Sequence, residues 1–128
     1  MRKPKFKAFI KEYEMVVPVE CLHLATEEVE VRLYKEGDTS LFNYEEVELM
    51  EFTGLKDKNG KEIYEGDIVR FHYKTGVYKI GIVVWNDLFG SWDIDCSDFV
   101  SYKSLKQYKS VSEVIGNIYE NPELLEDC

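Results

Sequence analysis

Histidine and cysteine are scarce in this chain. His23 and His72 are the two histidines, and Cys21, Cys96 and Cys128 the three cysteines, in 128 residues with no Cys-x-x-Cys and no His-x-x-x-His pair. Zinc sites need several such ligands converging, so this spacing excludes the common zinc modules. An odd set of widely spread cysteines also argues against a disulfide framework and for an intracellular chain with free thiols. Long apolar runs are missing too. The longest, such as Ile82 to Trp85, fall far short of the ~20 residues a membrane-crossing helix needs. The basic N-terminal residues Arg2, Lys3, Lys5 and Lys7 have no apolar stretch behind them, which excludes a signal peptide. Gly60 and Gly66 lack the Lys-Ser or strand–helix context of a phosphate-cradling loop. There is no internal repeat and no low-complexity linker.

Aromatic side chains are plentiful. They make up 14% of the chain, with nine Tyr and seven Phe, inside a hydrophobic fraction of 45%. Such residues favour strands and bury large areas, so the composition is that of a folded, β-rich domain rather than a disordered one.

The net charge of −9 is unevenly placed. Residues 1–11 carry five bases and no acid, residues 12–51 twelve acids and two bases, and residues 52–128 thirteen acids and nine bases. An acidic chain is a poor general binder of phosphate backbones. A solvated acidic surface is the plain reading; an acidic face for a basic partner, or one imitating DNA, is the sharper one. The basic N-terminal arm is suited to neutralising that face, in the same chain or in a neighbouring subunit.

Alternation of apolar and polar residues predicts strands over 5–10, 13–19 and 28–34, with Val29, Val31 and Leu33 on one face. Pro18 suits a strand edge or end. Residues 37–40 read as a turn. Residues 44–52 read as a strand with Val47 and Leu49 on one face, in competition with a helix capped by Asn43. Asn59-Gly60 marks a tight turn that needs positive φ, and Glu65-Gly66-Asp67 a second one. Strands are expected over 68–73, 77–85 and 91–96, then a short helix over 98–108 capped by Ser97, with Phe99, Tyr102 and Leu105 on one face. A strand over 111–119 is expected to bulge at Gly116-Asn117, and Asn121-Pro122 leads into a last helical turn. The result is a mainly β chain: an N-terminal β-rich part over 1–52, then a small SH3-like β-barrel over 53–128, as two halves or as one continuous unit, with one or two short helices.

The stretch from Thr53 through Gly54, Leu55, Lys56, Asp57, Lys58, Asn59, Gly60, Lys61, Glu62, Ile63, Tyr64, Glu65, Gly66, Asp67 and Ile68 to Val69 resembles the signature of the YopX family of phage and prophage proteins. So does Val114-Ile115-Gly116-Asn117-Ile118-Tyr119-Glu120-Asn121-Pro122-Glu123-Leu124-Leu125. Lys5-Phe6-Lys7-Ala8-Phe9 is a weaker third match; the family usually has Trp-Asp where this chain has Phe9-Ile10. The resemblance implies a bacteriophage or prophage gene acting in the cytoplasm of the bacterial host. It implies no known reaction and carries over no catalytic residue.

Several residues invite chemistry, and each has a plainer role. Cys96 and His72 are the tempting nucleophile and base, yet a buried thiol and a surface imidazole explain them. Asp93, Asp95 and Asp98 loosely resemble a calcium loop but lack its Gly and terminal Glu; acids on the exposed side of a strand account for them. Glu62, Glu65 and Asp67 read as turn chemistry. Phe71, Tyr73, Tyr78 and Trp85, with Arg70, Lys74 and Lys79 nearby, suit base stacking. Phe71 and Trp85 are expected in the barrel interior, and Tyr73 and Tyr78 stay open between rim and recognition. The reading is a non-enzymatic accessory protein without cofactor or metal. It binds a host or phage protein and also itself as a homo-oligomer, with Arg70, Tyr73, Lys74, Tyr78 and Lys79 as the interaction surface. Single-stranded nucleic-acid binding through the barrel face is the alternative, and a hydrolase using the acids of 91–98 comes third.

Overall fold

The structure, a computed structural model, describes residues 5–34, 36–96 and 103–125. It is mainly β, and it divides into two compact units, Met1–Glu51 and Phe52–Cys128.

The first unit is an antiparallel sheet built from β1 (Phe6–Ile10), β2 (Met15–His23), β3 (Glu28–Val31), β4 (Ser40–Asn43) and the start of β5 (Val47–Lys56), in the order β4-β3-β2-β1-β5. Period-two alternation sets its core. Val29 and Val31 are fully buried while the alternating Glu28 and Glu30 are not, and the two valines pack with Ala8, Ile10, Val17, Phe42 and Val47. β3 ends at Val31, earlier than the apolar alternation through Leu33 predicts. Pro18 is not on an edge, because β2 lies between β1 and β3. It stands where pairing changes hands: Met15 to Pro18 align with β1, and Val19 to His23 align with β3 through a register shift. A missing N–H costs least at such a hand-over.

β4 lies where the sequence suggests only a turn; Phe42, buried within it, was its one signal. Both readings of the next segment hold in succession. Asn43 N–H donates to Glu46 Oε1 at 3.0 Å, closing a single 3-10 turn over Tyr44–Glu46, and the strand starts at Val47. Val47 and Leu49 share one face as alternation predicts, while Met50, expected on the other face with Glu46 and Glu48, is buried as well.

The second unit takes the end of β5, which aligns with β6 (Glu62–Tyr64). A five-stranded antiparallel sheet follows, in the order β10-β9-β8-β7-β11. Its strands are β7 (Asp67–Lys74), β8 (Val77–Asn86), β9 (Ser91–Asp95), β10 (Lys103–Ser104) and β11 (Ser112–Asn117), and the short helix α1 (Leu105–Tyr108) follows β10. This sheet is open. Among the described residues β10 and β11 stand at opposite edges, so the arrangement is broadly that of the expected SH3-like barrel but without closure. Ile63, Val69, Phe71, Val83, Ile94, Cys96 and Leu105 form its core.

Three details refine the sequence expectations here. Trp85, expected inside, is 44% exposed, because it sits near the far end of β8 beyond the core residue Val83. The helix is capped by Ser104, whose Oγ accepts from Gln107 N–H at 3.4 Å, and not by Ser97. Ser97, Asp98, Phe99 and Tyr102 lie outside the described residues. The bulge at Gly116 is present, as a register shift between Val114 and Gly116. A side chain at Gly116 would put Cβ 2.7 Å from Asn121 Oδ1, which is why the position needs glycine. A final 3-10 turn spans Pro122–Leu125.

Candidate functional site

The most recognisable sequence segment builds a plug for a sheet edge. The β5–β6 turn begins with Asp57 and ends with Lys61: Gly60 N–H donates to Asp57 O at 3.0 Å, and Asp57 N–H donates to Lys61 O at 2.9 Å. Gly60 alone takes positive φ, at 81°, while Asn59 does not. This is a type I turn closed by a left-handed glycine, not the two-residue turn that Asn-Gly alone suggests. Asp57 then does more than turn the chain. One carboxylate oxygen accepts from Asn59 N–H at 2.8 Å and Lys61 N–H at 3.0 Å, and the other accepts from Val114 N–H at 2.9 Å. Burial on its own raises the Asp57 pKa. The three N–H groups and the Lys61 charge outweigh that and hold it below the usual aspartate range.

Val114 is on β11, an edge strand. An edge strand presents unpaired N–H and C=O groups, and the turn covers them. Lys58 N–H donates to Ser112 O at 2.9 Å, and Asn59 Nδ2 donates to Glu113 Oε2 at 3.3 Å. Further along, Ile118 N–H donates to Gly66 O at 2.9 Å. Asp67 behaves as turn chemistry predicts, accepting from Tyr64 N–H at 2.8 Å. The two long sequence motifs are therefore halves of one joint, held by the Asp57 and Asn59 side chains and by the backbones of Lys58 and Gly66.

The expected interaction surface is split by the sheet. Register aligns Arg70 with Ile80 and His72 with Tyr78 on one face, and Phe71 with Lys79 on the other. On the first face the Arg70 guanidinium lies 4.5 Å from the centre of the Tyr78 ring, which is 54% exposed, and the His72 ring lies 5.1 Å from the same ring. Tyr73 packs against the core cluster instead, with Lys74 Nζ at 5.9 Å and Lys103 Nζ at 5.1 Å from its ring. Arg70 and Tyr78 thus belong together, and Tyr73 and Lys79 do not join them. His72 and Cys96 are separated in the same way, because Cys96 is in the core with Phe71 and His72 alternates to the other face.

The acids of β9 are not a row on an exposed strand face. Asp93 is buried, accepting from Asn86 Nδ2 at 2.8 Å and from Ser91 Oγ at 3.0 Å. These bonds brace the β8–β9 hairpin. Asn86 also accepts through Oδ1 from Leu88 N–H at 3.0 Å, and its carbonyl accepts from Gly90 N–H at 2.8 Å. The turn so held displays Leu88 at 83% and Phe89 at 76% exposure. On the strands that lead into and out of the turn, Trp85 stands edge-to-face against Trp92 with ring centres 5.1 Å apart. Composition and periodicity overlook this tip. Its signal was an apolar pair, Leu88-Phe89, placed between the turn formers Asn86-Asp87 and Gly90.

Among the described residues, no group of three His, Cys, Asp or Glu side chains converges as a metal site, and no helix is long and apolar enough to cross a membrane.

The fold has solved counterparts. Protein EF1440 from Enterococcus faecalis is 27% identical, with a TM-score of 0.65 over 98% of this chain and 100% of its own. Protein yopX from Bacillus subtilis is 20% identical, with a TM-score of 0.56 over 95% of each chain, and it speaks to the fold alone. No curated protein matches the sequence. The family model described as YopX protein matches residues 5–126, which include both halves of the Asp57–Val114 joint, and the chain belongs to the YopX family.

Proposed function

We propose that this YopX-family chain is a non-catalytic phage or prophage accessory protein that works in the bacterial cytoplasm by binding protein, including further copies of itself. The observation that carries this reading is the β8–β9 tip. Two large apolar side chains, Leu88 and Phe89, face solvent on a turn that Asn86 and Asp93 hold in shape. Burying such side chains in a partner gains about 1.5–3 kcal/mol each, and a braced turn loses little entropy on docking. The motif residues support the non-catalytic part, since Asp57 and Asp67 are spent on backbone N–H groups. Sedimentation across a concentration series tests it: wild type is expected to associate and Leu88→Ser/Phe89→Ser to stay monomeric. A wild type that is monomeric throughout overturns the self-association.

A second reading has its own observation. Arg70 stacked on the exposed Tyr78 ring makes a cationic aromatic platform of the kind that stacks bases. The net charge of −9 opposes it. Fluorescence anisotropy with a single-stranded oligonucleotide at low salt decides the matter; no binding there ends this alternative.

A further inference from the structure

The turn that plugs β11 contains Asn59-Gly60. An asparagine followed by glycine is chemically labile, because no side chain on the second residue hinders attack by its backbone nitrogen. We propose that Asn59 is a deamidation site whose rate is governed by the Asp57 joint: slow while the joint is closed, fast once it opens.

The reaction balances without any co-reactant but water. Gly60 N loses its proton and bonds to Asn59 Cγ. The Cγ–Nδ2 bond breaks and ammonia leaves. Water then opens the five-membered imide at one of its two C–N bonds, returning aspartate or isoaspartate at position 59. The folded turn resists the first step at three points. Gly60 N–H is donated to Asp57 O at 3.0 Å, so the attacking nitrogen holds its proton. Asn59 N–H is donated to Asp57 Oδ1 at 2.8 Å, which fixes the backbone on the near side of the attacked side chain. Asn59 Nδ2 is donated to Glu113 Oε2 at 3.3 Å, which directs the amide toward β11.

The products act on the joint that slowed their formation. A carboxylate at position 59 has no N–H to give Glu113 and adds negative charge beside Glu113 and Asp57. The isoaspartate product also lengthens the turn backbone by one methylene, between the two ends of the Asp57–Lys61 hydrogen bonds. Each event therefore loosens the plug over β11, so the turn ages in one direction.

Peptide mapping by mass spectrometry, with isoaspartate detected by enzymatic methylation, tests this on the full chain at mildly alkaline pH. The folded wild type is expected to deamidate at Asn59 about tenfold or more slowly than the same chain in urea, the protection that hydrogen bonds of ordinary strength give. Asp57→Asn is expected to raise the folded rate while the circular dichroism stays native. Equal rates in folded and urea-treated wild type overturn the proposal, as does an Asn59 that stays intact in urea. A natively folded Asp57→Asn with the wild-type rate overturns the role of Asp57. Should that variant fail to fold, the comparison of wild type with and without urea still decides the question.

Discussion

Asp57 and Val114, 57 residues apart, are joined by a 2.9 Å hydrogen bond from the Val114 N–H to the Asp57 carboxylate. The carboxylate stands in for a neighbouring strand at one rung of β11. Two more backbone N–H groups, of Asn59 and Lys61, share the same side chain. Asp57→Ala orphans all of these donors in a part-buried place. With about 1 kcal/mol net for each lost bond, a loss of about 2–4 kcal/mol in urea unfolding is expected. Ser112 O would keep its donor from Lys58 only if the turn held its shape, so the variant is also expected to aggregate through the uncovered edge. A loss below about 0.5 kcal/mol would show that the joint is incidental.

The same carboxylate sets an acid limit. Its pKa is lowered by folding. The stability it contributes is therefore complete above the ordinary aspartate value of about 3.9 and drains away as pH falls through the lower folded value. Denaturation in the wild type is expected to become steeply easier below about pH 4, and this step should be smaller in Asp57→Asn. An unchanged acid profile in that variant would assign the acid response to other carboxylates.

Tyr64 sets an alkaline limit. Burial, then the charge and hydrogen bond of Glu62, then the charge of Asp67 push its pKa up to about 12 from 10.0. The unfolded chain ionises this phenol first, so the stability that Tyr64 contributes is constant below pH 10.0 and declines between there and about 12. Tyr64→Phe should flatten that stretch of the curve, read by urea unfolding at each pH. A wild-type slope in Tyr64→Phe contradicts the assignment.

Two glycines are required by their surroundings. A Cβ at Gly81 would lie 2.5 Å from Ile94 Cγ2 and 2.9 Å from both Asp95 O and Cys96 Sγ, in the core of the second unit. Gly81→Ala is expected to cost about 1–3 kcal/mol through overpacking, and Gly116→Ala a similar amount against Asn121. Gly60→Ala meets nothing and pays only for its φ of 81°, about 1–2 kcal/mol. Thermal melts of the three should rank them with Gly81→Ala lowest.

Much of this was legible in the sequence, and the reasons divide cleanly. Period-two alternation placed Val29 and Val31 inside, because strand geometry gives adjacent residues opposite faces. The bulge at Gly116 and the last turn at Pro122 followed from residues whose backbone preferences are local. Asp57 was passed over in favour of its neighbours Asn59 and Gly60, since its partner Val114 is remote and only the fold brings them together. The burial of Asp93 was missed for a related reason: Asn86 and Ser91 satisfy it across a hairpin. Trp85 is expected inside as part of a barrel interior, and distance along β8 from the core decides otherwise. The Arg70–Tyr78 pairing was within reach of sequence, but only with the register that assigns Tyr73 to the other face.

The Asp57 joint also dictates a timetable. During synthesis the β7–β8–β9 meander can pair as soon as it emerges, since each strand meets its immediate successor in the chain. Asp57 has by then left the ribosome, but Val114 has not. Until residues 112–118 follow, the turn has no strand to cover, and Gly66 O waits for Ile118 N–H. The unit is thus sealed by its late residues closing on its earliest ones, a slow, high-contact-order step. A nascent chain stalled before β11 would expose an incomplete sheet to whatever chaperone or protease attends the ribosome.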